Sequence, residues 1–390
     1  MKLGIFGGTF NPIHNGHVNL AVRCLEGLGL DQLLLIPTAI PPHKESGEIA
    51  DSAHRISMCR LAVQAYDRIS VSDLEMKRKG KSYTVDTLRI LKTQYPEDEL
   101  YLLVGSDMFY SMENWYCAGE VFDLVKIVAV AREADENERL DRHCEKLVQK
   151  GAAAQILHYD PVIASSSEIR ENDREDTLLP AVLNYIQQNG LYGRPVKLEV
   201  DLDELTRHLR GVLSQKRFNH SLNVASEALR LADRYGANKE FAYVAGLLHD
   251  ICKEAPKEEM LKILEGSDII LDKTFLSVPK IWHGYVAAIY IQNEFSILNA
   301  EIIDAVRVHS TGCDAMSLLQ KIIYMADLIS AERDYPGVEQ MRALAYQSLD
   351  LAMLKAYQFI IGELISKGRP LLEESFRAYN YFALAAQENI

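Results

Sequence analysis

The chain has 390 residues, 48% of them hydrophobic and 25% charged, which are the proportions of a globular protein long enough for two domains. Its net charge of −13 is spread evenly, with 21 basic against 28 acidic residues through Arg194 and 21 against 27 after it, so it lacks the cationic face that nonspecific duplex nucleic-acid binding needs. Six cysteines, at 24, 59, 117, 144, 252 and 313, form no Cys-x-x-Cys pair, which argues against zinc ribbons and disulfide scaffolds, and no apolar run approaches a membrane span.

The first half alternates strand-like and helix-like stretches. Strands are predicted at Leu3–Phe6, Leu33–Ile36, Ile69–Ser72, Leu100–Val104, Ile127–Val130 and Gln155–Leu157, with helical patterns between them at Val18–Gly29, Ala53–Tyr66 and Thr84–Tyr95. Such alternation predicts right-handed βαβ units and a mostly parallel sheet, with ligands at the carboxyl ends of its strands. An opening strand that meets Gly7-Gly8 this early is not a signal peptide, and a reducing cytoplasm is the expected compartment. The pattern changes at Asn189-Gly-Leu-Tyr-Gly-Arg-Pro195, whose glycines and proline read as a linker. Beyond it, helices are predicted at Asp201–Leu213, Arg217–Tyr235, Lys239–Ile251, Lys257–Leu264, Trp282–Phe295, Ala300–His309, Leu318–Ile329 and Val338–Ser366, with no convincing strand. Domains are therefore expected at 1–194 and 195–390.

Two stretches carry the chemistry of the first half. The first strand runs into a glycine turn, and His14 and His17 follow at the opening of an amphipathic helix. Backbone N–H groups, helix-terminal potential and imidazole donors together suit a nucleotide polyphosphate. The dinucleotide fingerprint Gly-x-Gly-x-x-Gly is absent, and Gly80-Lys81-Ser82 is no P-loop because position 75 is glutamate. Further on, Ser165-x-x-Glu168 reads as a capping box, which puts Ser166 and Ser167 in a first helical turn and adds the forked cation of Arg170.

Gly7-Gly-Thr-Phe-Asn-Pro-x-His14-x-Gly-His17 resembles the signature of the HxGH nucleotidylyltransferase superfamily, in the variant of bacterial nicotinate-nucleotide adenylyltransferases. Pro41-Pro-His-Lys44, Ser82-Tyr-Thr-Val-Asp-Thr-Leu88, Val104-Gly-Ser-Asp107, Trp115 and Ser165-Ser-Ser-Glu-Ile-Arg170 follow in the family's order, with Ser167 where threonine is usual and Ala164 where isoleucine is usual. The resemblance implies a Rossmann-like parallel sheet and Mg²⁺-dependent adenylyl transfer from ATP to nicotinate mononucleotide. It implies that Gly7, Gly8, Thr9, Phe10, His14, His17, Gly105, Asp107, Ser166, Ser167 and Arg170 hold ATP, with His14 and His17 catalytic. Lys44, Thr84, Trp115 and Arg132 are then expected around the mononucleotide, with Trp115 stacked on the pyridine ring.

In the second half His220, His249-Asp250, His283, His309 and Asp327 are spaced through successive helices. Imidazoles and carboxylates converging from several helices suit transition metals, and six ligands with a bridging aspartate suffice for two ions. The order His, His-Asp, His, His, Asp resembles the HD phosphohydrolase superfamily. His249-Asp-x-x-Lys253, His309-Ser-Thr-Gly312 and Arg333-Asp-Tyr-Pro-Gly337 are closest to symmetrical diadenosine tetraphosphate hydrolases, with Ser310 at a place where that family often has threonine. This implies an all-α HD-type domain, a di-iron centre, Lys253 and Arg333 offsetting substrate charge, and cleavage of diadenosine tetraphosphate into two ADP. Two alternatives stand beside this reading: a phosphohydrolase of another nucleotide, or a nucleotide-sensing module without turnover. The expected partners are ATP, nicotinate mononucleotide and diadenosine tetraphosphate, with no nucleic acid and no membrane; a homo-oligomer is compatible with the sequence.

Overall fold

A computed structural model describes residues 1–39, 49–78, 80, 82–130, 136–159, 162, 164–171, 174–267, 269 and 271–388. The chain divides into two compact units, Met1–Val196 and Lys197–Ile390. Among the described residues no helix is long and apolar enough to cross a membrane.

The first unit is built on strands β1 (Lys2–Gly8), β2 (Gln32–Pro37), β3 (Ile69–Val71), β4 (Glu99–Gly105), β5 (Lys126–Val130) and β6 (Ala154–Leu157). All pair in parallel in the order β3-β2-β1-β4-β5-β6. Helices α1 (Asn15–Gly27), α2 (Ser52–Val63), α3 (Thr84–Gln94), α4 (Ser106–Ser111), α5 (Ala118–Leu124), α6 (Asn137–Gln149), α7 (Ser166–Arg170) and α8 (Pro180–Gln188) connect and follow them. Central strands such as β4 are buried along nearly their whole length, as a parallel sheet with both faces covered requires. Leu3, Ile5, Leu102 and Ile127 pack with Val85 and Leu88 of α3 and with Phe109 of α4. The strand order reverses between β1 and β4, and a crevice opens at the carboxyl ends of strands at such a switch point.

Three expectations for the first unit are corrected. Gly7 and Gly8 do not form a turn; they end β1, in register with Ile36 and Pro37, and the chain reverses only afterwards, where Phe10 takes a left-handed backbone (φ 45°). The capping box at Ser165 is not formed: Ser165 makes no side-chain cap bond, and α7 is only five residues long. The stretch at 189–195 is more than a spacer, because the Tyr192 hydroxyl donates to Asn11 Oδ1 (3.0 Å) and Arg194 donates to the Ile169 carbonyl (3.1 Å).

The second unit is helical: α9 (Leu202–Val212), α10 (Gln215–Tyr235), α11 (Lys239–Leu248), α12 (Lys257–Glu265), α13 (Lys273–Leu276), α14 (Trp282–Phe295), α15 (Ala300–Val308), α16 (Leu318–Ile329), α17 (Val338–Gln347), α18 (Leu349–Ser366) and α19 (Glu373–Glu388). Side-chain caps start several of them. Asp201 accepts from the N–H groups of Asp203 and Glu204, and Ser317 and Gln320 cap each other reciprocally. The single helix expected over Val338–Ser366 is two, because Ser348 leaves helical geometry (φ −152°) and caps α18 with its hydroxyl. One core of leucine, isoleucine, alanine and methionine runs through α10, α11, α15 and α16.

Candidate active sites

In the first unit the residues following β1 are held from several sides. Asn11 is buried, and its Oδ1 accepts from Ala50 N (3.0 Å) and from the Tyr192 hydroxyl. Ser166 Oγ donates to the Pro12 carbonyl (2.9 Å) and Arg170 Nη1 to the Asn11 carbonyl (2.9 Å), which joins the two sequence motifs directly. Arg170 also donates to Ser167 Oγ (3.2 Å), so part of its donor capacity serves the loop itself. Arg55, 1% exposed, gives its guanidinium to the carbonyls of Thr9, Thr38, Ala39 and Ala50.

His14 and His17 are stacked, with ring centroids 3.7 Å apart, and Phe10 meets His17 edge-on at 5.1 Å. The backbone N–H of His14 donates to His17 Nδ1 (3.3 Å), so a neutral His17 carries its proton on Nε2. Gly16 is dictated by contact: a Cβ there would lie 2.9 Å from the Val162 carbonyl and 3.1 Å from His14 Nδ1. Gly105 ends the neighbouring strand β4 and caps α4, whose first turn carries the exposed Asp107. Thr84 opens α3, while Trp115 is pinned by a bond from Nε1 to Ser111 Oγ (3.3 Å). Tyr83 and Tyr116, their chain neighbours, are in ring contact at 4.8 Å, which brings these two regions together. Lys44 and Arg132 lie outside the described residues.

In the second unit the six expected residues converge. His220 comes from α10, His249-Asp250 from the end of α11, His283 from the first turn of α14, His309 from the end of α15 and Asp327 from α16. The four histidines and Asp250 are each at most 6% exposed. Asp250 faces two ways: Oδ1 lies 3.0 Å from His283 Nε2 and 3.5 Å from His309 Nε2, and Oδ2 lies 3.5 Å from His249 Nε2 and 3.6 Å from His220 Nε2. Asp327 Oδ1 is 3.1 Å from His220 Nε2. Gly284 allows the approach of α14 and α15, since a Cβ there would be 2.9 Å from the Arg307 carbonyl and 3.2 Å from the His309 ring.

These residues fit a metal centre by an observation independent of their identity. Each imidazole uses Nδ1 outward: His249 to the Gly246 carbonyl (2.7 Å), His283 to Lys280 (2.8 Å), His309 to Val306 (2.7 Å), and His220 to the Glu332 carboxylate. Every Nε2 is thereby turned to one centre, and in the tautomer that donates from Nδ1 it is the nitrogen left to ligate. Among the described residues, Nε2 of His220 and His249 and Oδ1 of Asp250 are buried without a partner in hydrogen-bonding geometry. Three sets of ligand atoms lie within 4.8 Å of one another: His220, His249 and Asp250; His249, His309 and Asp327; and Asp250, His283 and His309.

Burial pushes the His283 imidazole down to about 4, with Asp250 opposing, so the ring is a neutral donor at pH 7. For His249 burial pulls down, but the Asp250 and Asp327 carboxylates outweigh it and the net shift is upward. Burial works against ionised Asp250, yet the surrounding imidazoles hold it well below the usual carboxylate range. Lys253 Nζ lies 3.0 Å from His283 Nε2 and 3.3 Å from Asp250 Oδ1, and Arg333 binds Asp327. Arg217, 2.6 Å from Asp250 Oδ2, and the supports Glu332, Arg55, Asn11 and Tyr192 are not among the residues expected from the sequence. Arg217 and Glu332 stand three residues from His220 and one from Arg333, the only sequence signal they carry.

Residues 5–172 match the cytidylyltransferase-like family and residues 217–332 the HD domain family. A protein of Mycoplasma genitalium described as a probable nicotinate-nucleotide adenylyltransferase/Ap4A hydrolase is 29% identical over 92% of this chain and 97% of its own length. The nicotinate-nucleotide adenylyltransferase of Bacillus subtilis is 37% identical over 49% of this chain and 98% of its own. A crystal structure of a predicted HD superfamily hydrolase involved in NAD metabolism from Clostridium acetobutylicum is 33% identical, covering 48% of this chain and all of that one, with a TM-score of 0.47. With 37% identity across nearly the whole of one such relative, the chain belongs to the nicotinate-nucleotide adenylyltransferase family, in a form that carries an HD domain in its second half.

Proposed function

We propose that residues 1–194 transfer the adenylyl group of ATP to nicotinate mononucleotide, and that residues 195–390 hydrolyse diadenosine tetraphosphate to two ADP. In the first reaction a phosphate oxygen of the mononucleotide attacks the α-phosphorus of ATP in line. The bond to the β-phosphate bridging oxygen breaks, and pyrophosphate leaves. Negative charge grows on the oxygens around phosphorus, so fixed donors lower the barrier. His17 serves through Nε2–H, because its Nδ1 is occupied by the His14 N–H. His14, stacked on it, and Arg170, bonded to the Asn11 carbonyl, would add further donors. Gly105 and Asp107 hold the adenosine, and Thr84 and Trp115 the pyridine ring. Mg²⁺ would enter on the phosphates of ATP and offset their charge.

For the second reaction the carrying observation is the convergence of four Nε2 atoms on a two-faced, buried Asp250. Two transition-metal ions held by His220, His249, Asp250, His283, His309 and Asp327 would supply an activated water and charge neutralisation at phosphorus; we take iron as the native metal. Lys253, Arg333 and Arg217 bring cationic groups to the rim of that cluster, where a tetraphosphate needs them.

Turnover with nicotinate mononucleotide against nicotinamide mononucleotide tests the first assignment: the carboxylate-bearing substrate should be preferred, and equal rates would overturn it. Release of ADP alone from diadenosine tetraphosphate tests the second; AMP and ATP as products would contradict symmetrical cleavage.

A further inference from the structure

Three of the metal-facing histidines sit at helix ends, each within reach of a backbone carbonyl. His249 and His309 cap α11 and α15, His283 lies in the first turn of α14, and each donates Nδ1–H to a carbonyl three residues earlier. His220 lies inside the 21-residue helix α10, whose nearby carbonyls are consumed by the helix. Its acceptor must come from elsewhere, and it is Glu332, from the turn after α16.

That turn is itself held. Asn223, three residues beyond His220 on α10, donates to Glu332 Oε2 (2.7 Å), and Ser330 Oγ donates to Oε1 (2.8 Å). Arg333, the next residue, donates through Nε to the Asp327 carbonyl (2.8 Å) and also binds the Asp327 carboxylate. From α17, Arg342 donates to the carbonyls of Ile329 (3.0 Å), Ser330 (2.9 Å) and Arg333 (2.9 Å). One short turn therefore orients two ligands that come from two different helices, His220 and Asp327.

We propose that the turn Ser330–Arg333 is a clamp that sets the affinity of one of the two metal positions, with Glu332 as the positioning residue for His220. The inference rests on the metal-site reading above. A carboxylate acceptor locks the tautomer with Nε2 free, and it makes that nitrogen a stronger donor than a backbone carbonyl would. In the set of His283, His309 and Asp250 both imidazoles give Nδ1–H to backbone carbonyls rather than to a carboxylate, so an ion held there would depend less on Glu332 than one held by His220, His249 and Asp250.

The test uses the full chain freed of metal by chelation and titrated with Zn²⁺ against a chromophoric chelator. Wild type should take up two equivalents. Glu332→Gln should retain one at wild-type affinity and bind the other about 10–100-fold more weakly, the usual cost of losing such an outer partner. The metal-free thermal midpoint should stay close to wild type, which separates positioning from a structural defect, and Asn223→Ala should weaken the same equivalent to a smaller degree. Two equivalents at wild-type affinity in Glu332→Gln would overturn the clamp, as would equal weakening of both together with a lowered metal-free midpoint. A wild-type chain that binds no Zn²⁺ would instead overturn the metal site itself.

Discussion

Arg55 is the residue whose replacement should damage the first unit most for its size. It is a fully buried guanidinium whose hydrogen-bond partners among the described residues are all backbone carbonyls. Nε donates to Ala50 O (2.9 Å), Nη1 to Thr9 O (2.9 Å) and Thr38 O (2.7 Å), and Nη2 to Ala39 O (3.1 Å). Methionine would fill much of the volume while leaving four carbonyls unpaired. At about 1 kcal/mol net for each bond, Arg55→Met should destabilise the unit by about 4 kcal/mol. For a unit of this size that corresponds to a fall in midpoint of about 12 °C. Lysine restores the charge but not the planar fork, so Arg55→Lys should recover less than half of the loss. Adenylyl transfer should fall in both, because Thr9 belongs to the loop that carries His14 and His17. Scanning calorimetry of the full chain with and without ATP identifies the transition of the first unit. A loss below about 1 kcal/mol, the worth of one such bond, would mean that the four carbonyls do not depend on Arg55.

Gly284→Ala places a methyl group 2.9 Å from a backbone carbonyl, so α14 and α15 must separate; a loss of about 1–3 kcal/mol and weaker Zn²⁺ binding are expected. Unchanged unfolding and metal titration would count against the close approach. Lys146 and Lys150 hold the Glu113 carboxyl down at about 2 against an ordinary 4.5, so their stabilisation is complete above pH 4.5 and disappears as the pH falls through about 2. The stability difference between wild type and Glu113→Gln should therefore shrink across that window in acid-unfolding curves, and a constant difference would exclude the linkage.

Much of the fold is legible because periodicity and burial coincide. Leu3–Phe6 and Leu100–Val104 read as strands since both faces of a parallel sheet are covered, and the helices after Asp201 announce themselves by their caps. The break at Ser348 is hidden because apolar residues recur at helical spacing on both sides, and only the capping serine marks it. His14 and His17 stand out as a pair because a helix start brings residues three apart onto one side. Arg55, inside a predicted helix, reads as an ordinary surface cation; its burial depends on carbonyls from residues 9, 38, 39 and 50. Glu332 is hidden for the same reason, since its partner is 112 residues away. Residues that carry chemistry leave compact motifs, whereas those that hold them depend on tertiary contacts that no local pattern records.

The most direct test of two separate active sites is to run both assays on single preparations of His17→Ala and Asp250→Ala. His17→Ala should lower adenylyl transfer by about 10²–10³-fold, the worth of one fixed donor at a developing negative charge, and leave diadenosine tetraphosphate hydrolysis at the wild-type rate. Asp250→Ala should abolish hydrolysis and spare adenylyl transfer. Loss of both activities from either substitution would contradict the account.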